Sequence, residues 1–157
     1  MRLKPNTLIV VAGPTASGKT ALAIQIAKAV DGEIVSADSM QIYRGVDIAT
    51  AKPTPEELAA VPHHLIGFLP MDRAFSVADY AELARKEIND ILSRGKVPVL
   101  CGGTGLYIKA IVDNVQYSEA ITGDEALRER LRQLAEREGN DALWRRLEAM
   151  DPETAKR

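Results

Sequence analysis

The 157-residue sequence has a single cysteine, Cys101, and no apolar run long enough to cross a bilayer. One cysteine excludes an internal disulfide and favours a reducing compartment. A formal net charge of −2 gives no global sign of a nucleic-acid or membrane surface. The short apolar run near the N-terminus leads into a glycine loop and not into a signal-peptide cleavage site. We therefore expect a cytoplasmic monomer with no membrane partner.

What the chain does contain is a series of short apolar runs that alternate with helical patterns. Residues 8–12, 33–37 and 97–101 are short and mostly apolar, which predicts strands buried on both faces, and residues 64–69 predict a weaker strand. Ser76 is the predicted N-cap of a long amphipathic helix. The alternation predicts an α/β fold of the P-loop NTPase type, with a parallel sheet, helices on both faces, and the ligand at the carboxyl ends of the strands.

Beyond residue 115 the pattern changes to charged helical segments without strand signals. We therefore predict an α/β core over residues 1–115 and the start of a helical insertion domain over residues 116–157. Between residues 124 and 157, eight Lys and Arg residues stand against nine Asp and Glu residues. Such a balance is typical of a solvated helical face, and an RNA-facing surface is the second interpretation.

The most specific motif is GPTASGKT, directly after the first predicted strand. Its spacing matches G-x-x-x-x-G-K-[ST], in which glycines let the backbone wrap an anion and amide groups at the helix start point to it. Lys19 would neutralise charge and Thr20 would ligate Mg²⁺. The pattern fits ATP, GTP or the diphosphate of another substrate. The predicted phosphate-binding residues are Gly13, Pro14, Thr15, Ala16, Ser17, Gly18, Lys19 and Thr20.

Two further loops are expected at the same edge of the sheet. Asp38, in SADSMQIYRG, is either a proton acceptor, a magnesium-associated carboxylate or the cap of a turn. Thr104, in CGGTGLY, either caps a helix or places its hydroxyl on a ligand. The chain has no Asn-Lys-x-Asp motif, which argues against a GTPase, and no arginine-rich lid before residue 115. The missing lid weakens the interpretation as a small-molecule kinase but leaves it open.

Together, GPTASGKTALAIQIA, IVSADSMQIYRGVDIATAKPTPEE, HHLIGF, FSVADYAELARKEI and GKVPVLCGGTGLYIKAI resemble the tRNA dimethylallyltransferases. The order and spacing of these stretches carry the resemblance. It implies transfer of a dimethylallyl group from dimethylallyl diphosphate to N6 of adenosine 37, beside the anticodon of tRNA, with release of diphosphate. It also implies Mg²⁺ as cofactor, held partly by Thr20, and the tRNA anticodon stem-loop as partner.

The same resemblance implies residue roles. Asp38 would be the base that takes a proton from N6, Lys19 would act on the leaving diphosphate, and Thr104 would lie beside the reacting groups. The positions that correspond to tRNA contacts in the family are Asp38, Ser39, Met40, Gln41, Thr104 and Arg128.

Several features depart from the family pattern. Gly67 stands where an aspartate is common, and Cys101 replaces an aliphatic residue, for which we expect a buried, inert thiol. His63 and His64 lack metal-ligand spacing, so we expect them in turn or supporting roles. The chain ends before a downstream tRNA-binding motif and the last core strands of the family. The alternatives left open are a small-molecule kinase, a prenyltransferase of free adenine nucleotides and a phosphate-binding chain without activity.

Overall fold

The computed structural model describes residues 4–47, 50, 52–117 and 124–156. The chain divides into two compact units, Met1–Gln116 and Tyr117–Arg157. Each unit is described by itself.

The first unit contains a single parallel sheet among its described residues. Its four strands lie in the order β1-β4-β2-β3, and every pairing between them is parallel. The predicted α/β fold class is therefore confirmed. The elements are β1 (Ile9–Ala12), α1 (Lys19–Ala29), β2 (Gly32–Ser36), α2 (Pro55–Ala60), β3 (His63–His64), α3 (Val77–Ser93), β4 (Val97–Gly102) and α4 (Gly105–Val112).

Helices cover both faces of this sheet, as the sequence predicts. On one face, Ala23, Ile24 and Ala27 of α1 pack against strand residues that include Val99. On the other face, α3 and α4 pack against Val35 and Leu100 together with Ala37. Burial of these apolar side chains is the main contribution to the stability of the unit.

Two strand predictions need correction. β1 is not buried on both faces, because it lies at the edge of the described sheet and Val10 is 38% exposed. The run predicted as a strand over residues 64–69 pairs in β3 only at His63–His64, followed by an isolated bridge between Tyr43 and Leu69. Leu65 and Gly67 have positive φ angles of 61° and 58°, which an extended strand does not permit.

The two helices that flank this region begin with capping boxes. In α2, which the sequence analysis missed, Thr54 and Glu57 cap each other and Pro55 occupies the first turn. In α3, Ser76 and Asp79 do the same, which confirms Ser76 as the N-cap. The reciprocal hydrogen bonds satisfy amide groups that a helix start otherwise leaves without partners.

A buried ionic cluster lies at the amino end of β2. Glu33 is 3% exposed, and the Arg94 guanidinium donates two hydrogen bonds to its carboxylate, one of 2.8 Å. Nε2 of His64 lies 2.8 Å from Glu33 and Nδ1 lies 3.0 Å from Glu87, while Nζ of Lys96 approaches Glu33 to 3.7 Å. The Arg94 hydrogen bonds, and then His64, lower the pKa of the Glu33 carboxyl to about 2, although burial acts in the opposite direction.

This cluster makes the first unit sensitive to acid. A carboxyl whose pKa is lowered in the folded state adds stability above its unfolded pKa of about 4.5, and this stability is lost as the pH falls towards 2. We expect urea unfolding to show a loss of about 2–3 kcal/mol over this window. Glu33→Gln should flatten the pH dependence, whereas Asp72→Asn, at an exposed loop position, should leave it as in the wild type. An unchanged slope in Glu33→Gln would contradict the assignment.

The second unit is helical in its described part. It contains α5 (Glu125–Glu138), α6 (Asn140–Met150) and α7 (Pro152–Ala155), with Gly139 at φ 82° in the turn between the first two. α5 packs against α6, and the Trp144 indole of α6 donates a hydrogen bond to the carbonyl of Ala155 in α7. In the described part of the whole chain, no helix combines the length and apolar character needed to span a membrane.

Candidate active site

The loops that follow β1, β2 and β4 meet at the carboxyl edge of the sheet, as predicted. The amide of Gly13 donates to the carbonyl of Gly102 over 3.3 Å, and the amide of Thr104 donates to the carbonyl of Ala37 over 3.1 Å. The amide of Ala37 in turn bonds the carbonyl of Cys101 over 2.8 Å. These backbone hydrogen bonds hold the three loops together without a ligand.

The paired glycines after β4 make this approach possible. A Cβ atom at Gly102 would overlap the backbone of Ala37, and one at Gly103 would lie 3.1 Å from the carbonyl oxygen of Gly13. Glycine is therefore required at position 102 by the close approach of two backbones, and position 103 leaves little room for a side chain.

The GPTASGKT loop, residues 13–20, has the geometry of an anion cradle. Ala16 and Gly18 have positive φ angles of 62° and 79°, and α1 begins directly afterwards at Lys19. No side chain caps this helix and no acidic residue occupies its first turn, so the positive end of the helix dipole is available to an anion. Nζ of Lys19 donates to the carbonyl of Pro14 over 3.0 Å, which holds the ammonium group over its own loop.

A polar cavity of about 230 Å³ lies beside this loop. It brings together residues from the loop, from the region after β2 and from α2. Asp38 and Glu57 supply carboxylates and Thr20 supplies a hydroxyl. Among the described residues, the lining is Thr15, Ala16, Gly18, Lys19, Thr20, Ala21, Asp38, Gln41, Thr50 and Glu57.

Asp38 has one carboxylate oxygen engaged by its own loop. Its Oδ1 accepts hydrogen bonds from the amides of Met40 at 2.9 Å and Gln41 at 3.3 Å, which is the pattern of a side-chain-stabilised turn. No residue in the described ranges donates to Oδ2. The turn thus engages Oδ1 and leaves Oδ2 without a donor from the described residues, so the turn does not rule out the interpretation of Asp38 as a proton acceptor.

Thr104 stands at the N-cap of α4, but its hydroxyl does not cap that helix. Oγ1 accepts a hydrogen bond from the amide of Ser39 over 2.9 Å and donates to Oγ of Ser39 over 3.2 Å. The interpretation of Thr104 as a simple helix cap is thus wrong. The hydroxyl instead fixes the loop that carries Asp38.

The remaining residues predicted to contact tRNA lie in different settings. Met40 is 51% exposed, whereas Gln41 is 9% exposed and lines the cavity. The Gln41 carboxamide accepts from Oγ of Ser36 and donates to the carbonyl of Thr50, which ties the loop to β2. Arg128 belongs to the second unit, where it is 59% exposed and lies 3.7 Å from Glu125.

Sequence reasoning missed Ala21, Thr50 and Glu57 as cavity residues. A signal for Glu57 was present, since the Thr54-Pro55-Glu56-Glu57 sequence is a capping box with proline at N1 and predicts α2. No local pattern indicates that this short helix lies beside the phosphate loop.

The structure shows the surroundings of Cys101 and Gly67, two positions that depart from the family pattern. Cys101 is buried, which confirms that part of the expectation, and burial raises the pKa of its thiol to about 11, which disfavours the reactive thiolate. A Cβ at Gly67 would lie 3.4 Å from Nζ of Lys52. In this chain the Lys52 ammonium is bound by the carbonyl of Tyr43 and by Asp47 at 2.7 Å, so its charge is compensated without a carboxylate at position 67.

The donor set around the cavity suits Mg²⁺. Mg²⁺ prefers oxygen ligands, keeps several waters, and is commonly bound through one or two carboxylates together with substrate phosphates. Thr20, Asp38 and Glu57 are oxygen donors on one cavity, and no histidine or cysteine lines it. In the described residues, no cluster of three His, Cys, Asp or Glu side chains forms an all-protein metal cage.

The parallel sheet and the glycine loop between β1 and α1 make this an α/β protein with the architecture expected of a P-loop fold, and the candidate site lies at the carboxyl edge of the sheet. The sequence model of one family, IPP transferase, matches residues 41–157. The chain belongs to the IPP transferase family.

Similar proteins carry a consistent name. The chain is 53% identical to a tRNA dimethylallyltransferase from Exiguobacterium sp., over 98% of this chain and 49% of the relative. It is 49% identical to the tRNA dimethylallyltransferase of Bacillus subtilis, over 94% of this chain and 47% of the relative. The chain thus spans about half the length of these relatives.

Solved structures agree with the fold. A tRNA isopentenylpyrophosphate transferase from Bacillus halodurans superimposes with a TM-score of 0.70 at 44% identity, over 96% of this chain and 50% of that one. A eukaryotic dimethylallyltransferase acting on tRNA gives a TM-score of 0.76 at 29% identity, over 94% of this chain and 36% of that one.

Proposed function

We propose that the protein transfers a dimethylallyl group from dimethylallyl diphosphate to N6 of adenosine 37 in tRNA, in the cytoplasm. The observation that carries the proposal is the joining of the GPTASGKT loop and Asp38 in one cavity of an IPP transferase family member. A loop of this kind binds a diphosphate, and a carboxylate beside it is within reach of the group that attacks the donor.

The leaving diphosphate is stabilised by the phosphate loop. As the carbon–oxygen bond of the donor breaks, its electron pair goes to the diphosphate, and the growing negative charge meets Lys19 and the first amides of α1. The Thr20 hydroxyl and the Glu57 carboxylate would hold Mg²⁺, which would supply further charge neutralisation to the phosphate oxygens. The carbonyl of Pro14 holds the Lys19 ammonium close to the loop, which lowers the reorganisation needed at the reaction step.

Asp38 acts on the nucleophile. The lone pair of the adenine N6 amine is delocalised into the ring, so attack is easier when a base removes the proton as the new carbon–nitrogen bond forms. Oδ2 of Asp38 accepts that proton, while Oδ1 remains held by the amides of Met40 and Gln41. Thr104 is a positioning residue in this scheme, because its hydroxyl holds Ser39 and thereby the Asp38 loop. The adenine must leave the anticodon stack to reach the site.

The test is incubation of the protein with dimethylallyl diphosphate, Mg²⁺ and unmodified tRNA, followed by mass analysis of the nucleosides. We expect prenylated adenosine that depends on both the donor and the tRNA. Parallel reactions replace tRNA with AMP, and calorimetry compares dimethylallyl diphosphate with ATP. Prenylation of AMP alone would overturn the tRNA assignment, and tight ATP binding without donor binding would favour a kinase.

A further inference from the structure

The chain on either side of Asp38 is anchored by side chains from two different helices. On the C-terminal side, the amide of Ser39 donates a hydrogen bond of 2.9 Å to Oγ1 of Thr104, at the start of α4. On the N-terminal side, Oη of Tyr80, in α3, donates a hydrogen bond of 3.0 Å to the carbonyl of Ser36, the last residue of β2. Thr104 thus accounts for one anchor of this loop, and Tyr80 provides the other.

The hydroxyl of Tyr80 is buried in apolar surroundings. Tyr80 is 0% exposed and lies in one apolar cluster with Val35 and Ala37. A hydroxyl in such a place costs free energy unless it is hydrogen-bonded. Burial raises the pKa of this hydroxyl, and the neighbouring Tyr107 acts in the same direction, so the group remains a neutral donor. A phenylalanine would fill the same space without this cost, so the tyrosine contributes the directed bond to the Ser36 carbonyl.

The direction of this bond is set by a stacked pair of rings. The rings of Tyr80 and Tyr107 have centroids 3.9 Å apart and an interplanar angle of 7°. Tyr107 lies in the first turn of α4, where its amide donates to the carbonyl of Thr104 over 3.0 Å. The two helices that anchor the chain beside Asp38 are therefore joined to each other through the ring pair. A change in the position of the Tyr80 ring requires loss of this stacking.

We infer that Tyr80 is a positioning residue for Asp38: its hydroxyl fixes the end of β2 and thereby presents the carboxylate to the amine that attacks the donor. The inference rests on the proposed function for the role of Asp38, and it deepens that function. Only Ala37 stands between Ser36 and Asp38, so a shift at the end of the strand passes directly to the carboxylate. A general base must lie within hydrogen-bond reach of the proton that it removes, and a displacement of about 1 Å can cost about 10²-fold in rate.

The test compares Tyr80→Phe with Tyr107→Phe, which make the same change in the two rings of one stacked pair. Tyr80→Phe removes the bond to Ser36. The Tyr107 hydroxyl has no hydrogen-bond partner within the described residues, so Tyr107→Phe is the matched control. Single-turnover prenyl transfer at saturating donor and tRNA gives the rate, and hydrogen exchange of the backbone amides of residues 37–39, followed by NMR, shows how firmly the loop is held. Thermal unfolding followed by circular dichroism checks that both variants are folded.

For Tyr80→Phe we expect a transfer rate about 3- to 10-fold lower, the factor that one neutral hydrogen bond typically contributes, with the half-saturating concentrations of tRNA and donor unchanged. The amides of residues 37–39 should exchange faster by a similar factor. Tyr107→Phe should change each quantity by less than about 2-fold. Equal effects of the two variants would overturn the inference. In an active protein, so would a change in only the rate or only the exchange of Tyr80→Phe.

A double-mutant cycle separates positioning of Asp38 from a purely structural role of Tyr80. If Tyr80 acts through Asp38, the addition of Tyr80→Phe to Asp38→Ala should not lower the transfer rate further. A further loss as large as that in the wild-type background would mean that Tyr80 stabilises the core without acting on Asp38, and the inference would be wrong.

Hydrogen exchange separates this inference from the proposed function. If the wild type transfers no prenyl group, but exchange at residues 37–39 is faster in Tyr80→Phe and not in Tyr107→Phe, Tyr80 positions the loop of Asp38 and the proposed function fails. If the wild type transfers the group and Tyr80→Phe matches it in both rate and exchange, the proposed function stands and the role of Tyr80 fails.

Discussion

Asp38→Ala should lower kcat for prenyl transfer by about 10²- to 10⁴-fold, the range expected when a positioned base is lost. Affinity for tRNA should fall much less, because most protein–nucleic acid contacts are made to the backbone and not to the target base. The measurement is single-turnover transfer at saturating donor and tRNA, together with RNA binding by anisotropy.

Asp38→Asn is the sharper variant. An asparagine carbonyl can still accept the amide hydrogen bonds of Met40 and Gln41 that Oδ1 accepts now, so the turn is retained, but the amide cannot take a proton. If the Asp38→Asn variant is as slow as Asp38→Ala, proton transfer is the main role of Asp38. If Asp38→Asn recovers most of the wild-type rate, Asp38 only positions the adenine. If both variants bind tRNA weakly but turn over normally at saturating tRNA, Asp38 is a recognition residue.

Lys19→Ala should lower kcat by about 10²- to 10³-fold, because it removes the cation that faces the charge growing on the leaving diphosphate. Lys28→Ala is the matched control, since Lys28 lies in the last turn of the same helix and is exposed. Turnover at saturating donor measures the effect, and thermal unfolding followed by circular dichroism checks that the variant is folded.

An increase in KM with an unchanged kcat in Lys19→Ala would contradict the role given to Lys19. Such a result would mean that the ammonium group binds the diphosphate of the donor equally in the ground state and in the transition state. Near-normal turnover in a folded Lys19→Ala protein would remove Lys19 from the site altogether.

The parts of the site that the sequence predicted are those that depend only on residues close together in the chain. Gly13 to Thr20 is recognisable because each residue type meets a local need: glycine for the positive φ at Gly18, lysine and threonine at the start of α1. Asp38 was predicted because it follows a buried strand, and strand ends converge at one edge of a parallel sheet. The capping box at Ser76 is equally local, and it was found for the same reason.

The parts that the sequence did not predict depend on residues far apart in the chain. Thr104 and Ser39 are 65 positions apart, so the hydrogen bond between them could not be distinguished from a helix cap by local pattern. Arg94 and Glu33 are 61 positions apart, and each alone resembles an ordinary surface charge.

The sequence by itself determined the fold class, the phosphate loop and the position of Asp38, because periodicity and fixed spacing express local backbone and side-chain requirements. Only the tertiary structure decided that Glu57 lies at the phosphate loop, that Thr104 holds the loop of Asp38, and that Arg94 pairs with Glu33. The physical reason is that ion pairs and hydrogen bonds depend on distances of a few ångströms between side chains, and packing of separate elements sets those distances.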